Sequence, residues 1–333
     1  MRIVVTVDTE ADGQWEHGRS VSTANVAAWP PFEEVCRRNG ARPTWLITSE
    51  MAEDPAAVAF LRPLADAGEI EVGAHLHPWT TPPFAEAPGL RENDRAHAFP
   101  CHLEPDLLRA KLETLTAQVE AAAGARPTSY RAGRFGIDAA GARLLGELGY
   151  RVDSSVTPYV TWAAHSGLPG RGGGPDFRRH DAYPFRVAGS GDPGLVELPV
   201  TILPTYLLTR RLPWLLAHWH ARPSWLGARA RRFMPRPQPL WLRPRPDYVL
   251  SDLQALVAEA ERARLPFAVF MFHSSELLEG ASPYRPTRGD IDVLLKLLDE
   301  LFAWCRDRGH GFVHLSAAGR ELAADRRLPL REL

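Results

Sequence analysis

The chain has 333 residues, of which 45% are hydrophobic and 24% charged, and its formal net charge is −1. These proportions describe a globular protein with a substantial core and exclude a disordered chain, while a charge near zero gives no general attraction to nucleic acid, which is not expected as a partner. The three cysteines, Cys36, Cys101 and Cys305, are far apart and form no CxxC pair, so neither a disulfide framework nor a thiolate zinc site is expected.

Arg2 to Asp8 reads as a buried strand, Asn25 to Asn39 as a helix ending at Gly40, and Pro43 to Thr48 as the next strand. A helix from Pro55 to Ala67 stops at Gly68, and Ile70 to His77 is a third strand. Leu108, Leu112, Leu115 and Val119 give Pro105 to Ala123 a helical period, closed by Gly124. Ser129 to Arg134 is strand-like, Asp138 caps a helix through Leu148, and Tyr150 to Ser154 and Leu195 to Thr201 are short strands. Ser251 to Arg264 is helical, Pro266 to His273 strongly apolar and strand-like, Gly289 to Arg308 amphipathic, and Phe312 to Ser316 the last strand.

Strands alternating with helices imply parallel pairing through right-handed crossovers, and seven or eight such units imply a closed barrel. An open doubly wound sheet is the main alternative, but no GxGxxG or Walker A sequence supports nucleotide binding on one. One domain over residues 1–333 is expected, with an insertion over about 160–247. His165 to Gly194 is rich in Gly, Pro and Arg and reads as a long loop. Leu198 to Pro246 holds no Asp or Glu but nine arginines and the tryptophans 214, 219, 225 and 241. Three readings of it stand open: a plain surface subdomain, a phosphate-contacting surface, and a patch giving peripheral membrane contact. Met1-Arg2 runs straight into the β-rich Ile3 to Val7, without a signal-peptide apolar region, so a cytoplasmic protein is expected.

The chemistry-bearing residues fall at strand ends. Asp8 and Glu10 follow the first strand, His75 and His77 end the third, Arg131 and Arg134 the fourth, Asp153 the fifth, and His273 a late one. In a parallel barrel these ends share one face, where barrel active sites lie. His75 and His77 are two apart in an extended segment and so point to one side. With a carboxylate from Asp8 or Glu10 they form a His₂-carboxylate metal set with positions open for water; the alternative is a histidine pair bonded to loop carbonyls. The other carboxylate could take a proton from an attacking water, oriented by Arg131. His273, released from an apolar strand into Ser274-Ser275-Glu276, suits proton donation near neutral pH or a purely structural bond to a carbonyl.

Taken in order, Thr6-Val7-Asp8-Thr9-Glu10, Glu71 to Pro78, Tyr130 to Gly136, Asp153-Ser154-Ser155 and Phe270 to His273 resemble the motifs of the polysaccharide deacetylase superfamily, the NodB-homology group of carbohydrate esterase family four. The sequence is most similar to a divergent bacterial branch without an export signal. The resemblance implies a distorted (β/α)7 barrel, a divalent metal such as Zn2+, and hydrolysis of an N-acetyl or O-acyl group on a carbohydrate or a lipid- or nucleotide-linked sugar. It makes Asp8 the base, Arg131 its orienting partner and His273 the acid. Glu10, His75 and His77 become the metal ligands, and Trp79, Arg134, Asp153, Ser154 and Glu276 are expected to contact substrate. Two departures stand out: Thr9 occupies the place of the usual ligand aspartate, which makes Glu10 its substitute, and the histidines are two rather than four residues apart. Another C–N or glycosidic hydrolase on the same barrel, and a non-catalytic carbohydrate-binding protein, are the competing functions.

Overall fold

The computed structural model describes residues 1–14, 21–84, 98–191, 194–204 and 239–333. Its centre is a strand, β1 (Arg2–Thr9), whose β-branched run is buried on both faces. Parallel neighbours flank it: β2 (Pro43–Ile47) on one side and β10 (Phe267–His273) on the other. The sheet continues from β2 through β3 (Glu71–Leu76), β4 (Ser129–Ala132) and β5 (Val152–Asp153) to β7 (Val196–Glu197), β6 (Phe185–Val187) and β12 (Leu330–Arg331). A two-residue strand, β11 (Gly311–Phe312), pairs with the start of β1.

The sheet curls into a distorted barrel. A ribbon of β8 (Ile202–Leu203) and β9 (Leu240–Trp241) lies against the free edge of β10. Thr201 N donates to Val269 O at 3.2 Å and Met271 N to Leu242 O at 3.2 Å, while Val200 N reaches Val156 O beyond β5 at 3.1 Å. These bonds span the gap that the named strands leave open.

Helices cover the outside, and their ends follow from the sequence. Pro30 opens α1 (Pro30–Asn39), and Gly40 closes it at φ 68°. Then come α2 (Ser49–Glu53) and α3 (Pro55–Asp66), the latter capped by Asp54, which accepts from Ala57 N at 2.8 Å. They are followed by α4 (Pro105–Ala123) and α5 (Ala139–Glu147), where Asp138 caps as expected through Gly141 N. The set ends with α6 (Leu250–Arg262), α7 (Arg288–Asp307) and α8 (Leu315–Ala324). Trp29, Phe32, Trp45 and Phe272 interlock between α1 and the sheet, with Trp29 and Trp45 ring centres 4.8 Å apart.

Several expectations are corrected. Asn25 to Asn39 is not one helix: Ala24–Ala28 forms a 3-10 turn, because Pro30 and Pro31 lack amide donors and fit only a first helical turn. Of Leu195 to Thr201 only Val196–Glu197 is a strand; it stops before Pro199, which cannot donate to a ladder, and β8 begins only at Ile202. The expected last strand ends at Phe312. Leu315 instead opens α8, which buries Leu315, Ala318, Gly319 and Leu322 at helical spacing. The pairing is not wholly parallel either, since β6 lies antiparallel to β7 inside the expected long loop. Residues 205–238, most of the Arg/Trp-rich stretch and of its membrane-contact reading, lie outside the described residues. Among the described residues no helix is long and apolar enough to cross a membrane.

Candidate metal centre and catalytic cleft

The parallel ladders fix which residues meet. Asp8 sits in register with His273, and His75 with Arg131. All four lie at the C-terminal ends of strands, over a cleft of about 470 Å³.

Glu10, His75 and His77 converge, with their candidate ligand atoms within 4.8 Å of one another. His75 Nδ1 lies 2.9 Å from Arg131 O, an oxygen that can only accept, so Nδ1 carries the proton and Nε2 offers a lone pair. His77 Nε2 lies 3.1 Å from that Nε2 and 3.3 Å from Glu10 Oε2. Two imidazole nitrogens on one tetrahedral zinc would stand about 3.4 Å apart, so the pair suits a shared cation. Burial lowers both histidines to about 4, which keeps them in the neutral, ligating form. Burial raises Glu10, outweighing the pull of His273 and His75; a cation would favour its ionised form. Residues and chemistry therefore fit a divalent ion.

The backbone beside this trio is close-packed. A Cβ on Gly133 would lie 2.4 Å from Leu76 O and 2.7 Å from His77 Cδ2. The next two residues, Arg134 and Phe135, take left-handed φ values of 53° and 59°, at a cost of roughly 1–2 kcal/mol each. Both side chains line the cleft.

Two charge-bearing pairs flank the trio. Arg131, fully buried, donates from Nη1 to Asp8 Oδ1 at 2.5 Å and from Nε to Ser154 O at 2.7 Å. Burial pushes Asp8 up, but Arg131, His75 and His273 hold it below the usual carboxylate range. Opposite, His273 Nδ1 lies 3.4 Å from Glu276 Oε1, and its Nε2 lies 3.9 Å from Asp8 Oδ2. Burial pushes His273 down, but Glu10, Glu276 and Asp8 raise it overall. The two partners are thus driven apart, one ionised and acceptor-only, the other inclined to hold a proton.

Asp8, Glu10, His75, His77, Trp79, Arg134 and His273 line the cleft. Trp79 stacks on His77 with centroids 4.3 Å apart, and its Nε1 donates to Gln14 Oε1 at 2.8 Å. Asp153, Ser154 and Glu276 lie behind the wall, fully buried, rather than at its surface. Ser154 braces Arg131, accepting at O and at Oγ. Asp153 accepts from Ser155 Oγ, which in turn accepts from Ala132 N. Glu276 carries His273 and is itself held by Arg243 Nη2 at 3.1 Å. Its lowered pKa reflects burial opposed by Arg243, His273 and Arg285.

Sequence reasoning misses Gln14, Phe135, Trp162, His165 and Tyr284 in the lining, and it singles out Trp241, Arg243 and Arg245 only as part of the Arg/Trp-rich stretch, without placing them at the cleft. Trp241-Leu242-Arg243-Pro244-Arg245 holds a readable signal, an alternation of large cleft-facing residues with buried Leu242 and Pro244. The described end of the Arg/Trp-rich stretch therefore faces the cleft.

The fold is shared with a solved structure, and weaker matches accompany it. A Mycobacterium smegmatis protein described as a polysaccharide deacetylase matches over 100% of this chain and 94% of its own, at 16% identity and a TM-score of 0.56. A family 4 acetyl xylan esterase from Clostridium thermocellum, solved with a cobalt ion, matches over 98% and 93% at 11% identity and a TM-score of 0.44. The CE4 domain of a xylanase from the hindgut metagenome of Trinervitermes trinervoides matches over 99% and 96% at 9% identity and a TM-score of 0.45. The chain thus shares the fold of that Mycobacterium smegmatis protein, a distorted barrel. No protein-family model matches it, and no curated protein sequence does.

Proposed function

We propose that the protein is a metal-dependent hydrolase that removes an N-acetyl or O-acyl group from a carbohydrate. The observation that carries this reading is the meeting of three elements at one cleft: the Glu10–His75–His77 trio, the Asp8–Arg131 pair and the Glu276-backed His273. Glu10, His75 and His77 would hold the ion. When bound, a divalent cation polarises an acyl carbonyl and lowers the pKa of water.

The chain's own groups supply the proton transfers. Arg131 occupies Asp8 Oδ1 and leaves Oδ2 to accept a proton from the attacking water. His273 Nε2, on the far side of Asp8, donates to the leaving amine or alkoxide, while Glu276 at Nδ1 keeps the ring oriented. The low pKa of Asp8 and the raised one of His273 suit these opposite roles.

The test is acetate release from acetylated saccharides by protein loaded with zinc, cobalt or manganese, alongside Asp8→Asn. The variant should lose about 10²–10⁴-fold in kcat and retain bound metal. Failure of every metal-loaded form to release acetate rejects the reading, and loss of metal from Asp8→Asn makes Asp8 a ligand instead.

A further inference from the structure

Beyond the trio, the cleft changes character. Phe135 and Trp162 stack with centroids 5.4 Å apart and 21° between planes, and Trp241 meets both, at 5.8 Å and 6.5 Å. This joined aromatic surface is partly exposed and lines the cleft. Arg243 and Arg245 follow Trp241 at alternate positions on the same side, Arg243 just before Pro244 and Arg245 between Pro244 and Pro246. The carboxylates that line the cleft, Asp8 and Glu10, both belong to the metal end.

We propose that this far wall is a subsite for an anionic saccharide, whose ring packs on Phe135, Trp162 and Trp241 and whose phosphate or carboxylate is held by Arg243 and Arg245. The proposal rests on the reading above for where the acyl group reacts. Aromatic faces suit the apolar face of a pyranose, and guanidinium forks suit oxyanions, which they bind bidentately.

The arginines already have protein partners, and those leave room for a ligand. Arg245 pairs with Asp247 at 2.9 Å, but both side chains are exposed (45% and 63%), and such pairs contribute little that an incoming oxyanion must displace. Arg243 shares the single carboxylate of Glu276 with Arg285, at 3.1 Å and 3.9 Å, so two guanidiniums face one buried charge. Arg243 also lies over the Tyr284 ring at 4.8 Å, which fixes its plane at the cleft wall.

Calorimetry on the full chain tests this with four probes: N-acetylglucosamine, its 1-phosphate, its 6-phosphate, and the corresponding uronate. At least one anionic probe should bind about tenfold more tightly than the neutral sugar at low ionic strength, a margin that narrows with added salt. Which anion gains most separates phosphate from carboxylate recognition. Arg245→Gln, at an exposed position that folding tolerates, should remove most of the margin and leave the neutral sugar's affinity within about twofold. Equal binding of all four probes, no binding of any, or an unchanged margin in Arg245→Gln overturns the proposal. Acetate release is scored separately: discrimination without acetate release keeps the subsite and rejects the hydrolase, and release without discrimination does the reverse.

Discussion

The two ends of the cleft are built by different means. At the metal end every functional side chain sits on or just beyond a parallel strand, and its partners are buried charges: Arg131 against Asp8, Glu276 against His273. The far wall is assembled mostly from connections: the turn at Arg134–Phe135, the segment at Trp162, and the stretch that leaves the two-residue strand β9 at Trp241 and runs to Arg245. Its contacts are rings and two guanidiniums, a half-exposed one at Arg245 and a largely buried one at Arg243. The first end is rigid because burial makes each charge depend on its partner. The second can exchange partners at Arg245, where water already screens the pair with Asp247.

The largest effect should come from breaking the buried pair. Arg131→Met leaves Asp8 in the barrel without its counter-charge, and should destabilise the protein by about 3–5 kcal/mol as well as abolish turnover. Denaturant midpoints check this. A loss below about 1 kcal/mol would mean that the metal end is no more interdependent than a surface ion pair.

Next in size is the metal itself. With free zinc at about a hundred times its Kd, wild-type protein should gain about 2.7 kcal/mol of stability, and His75→Ala should gain almost none. Thermal melts with and without zinc read the difference. An equal gain in the variant would remove His75 from the ligand set.

A smaller and different effect is expected at the far wall. Trp162→Ala takes away one face of the stacked surface but no buried charge. Substrate KM should rise by about tenfold with kcat held, the signature of uniform binding lost. A fall in kcat with KM constant would place Trp162 at the reacting group and undo the division between the two ends.

That division also explains what is legible in the sequence. Asp8, Glu10, His75, His77, Arg131 and His273 can be brought together from the sequence alone, because strand ends in a parallel barrel share a face and residues two apart share a side. Glu276, Ser154 and Asp153 also stand out there, but the sequence cannot say that they sit behind the wall, since that depends on how tightly the strand ends pack. Glu276 reaches His273 only through the tight 3-10 turn of Ser274–Leu277. The aromatic wall is hidden for another reason. Phe135 and Trp162 meet across 27 positions of chain only because the turn after β4 takes two consecutive left-handed residues, which no local preference favours. Of the fold, the long strands β1, β2, β3 and β10 are readable from apolar runs. Of the two-residue strands, β5 and β7 fall inside the expected runs, but β11 meets its expected run only at Phe312 and β12 is not anticipated, because the pairing of such short strands is set by neighbours rather than by their own composition.

The smallest effect concerns a half-buried charge away from the cleft, and it asks whether burial without a partner matters where no ligand is served. Glu33 on α1 is raised to about 7, first by burial and then by Glu69, with Arg37 opposing. Its folded pKa therefore lies above the unfolded value, near 4.5. Below that lower value the carboxyl is protonated in both states and costs nothing. As pH rises toward about 7 the unfolded chain releases the proton first, so stability falls across this window and the penalty is complete above it. Glu33→Gln should match wild type near pH 4 and be more stable near pH 8, by no more than about 1 kcal/mol because the group is only half-buried and solvent screens it. Paired urea titrations at the two pH values measure the difference between the proteins, which cancels titration elsewhere in the chain. A difference that is constant with pH would show that Glu33 titrates normally.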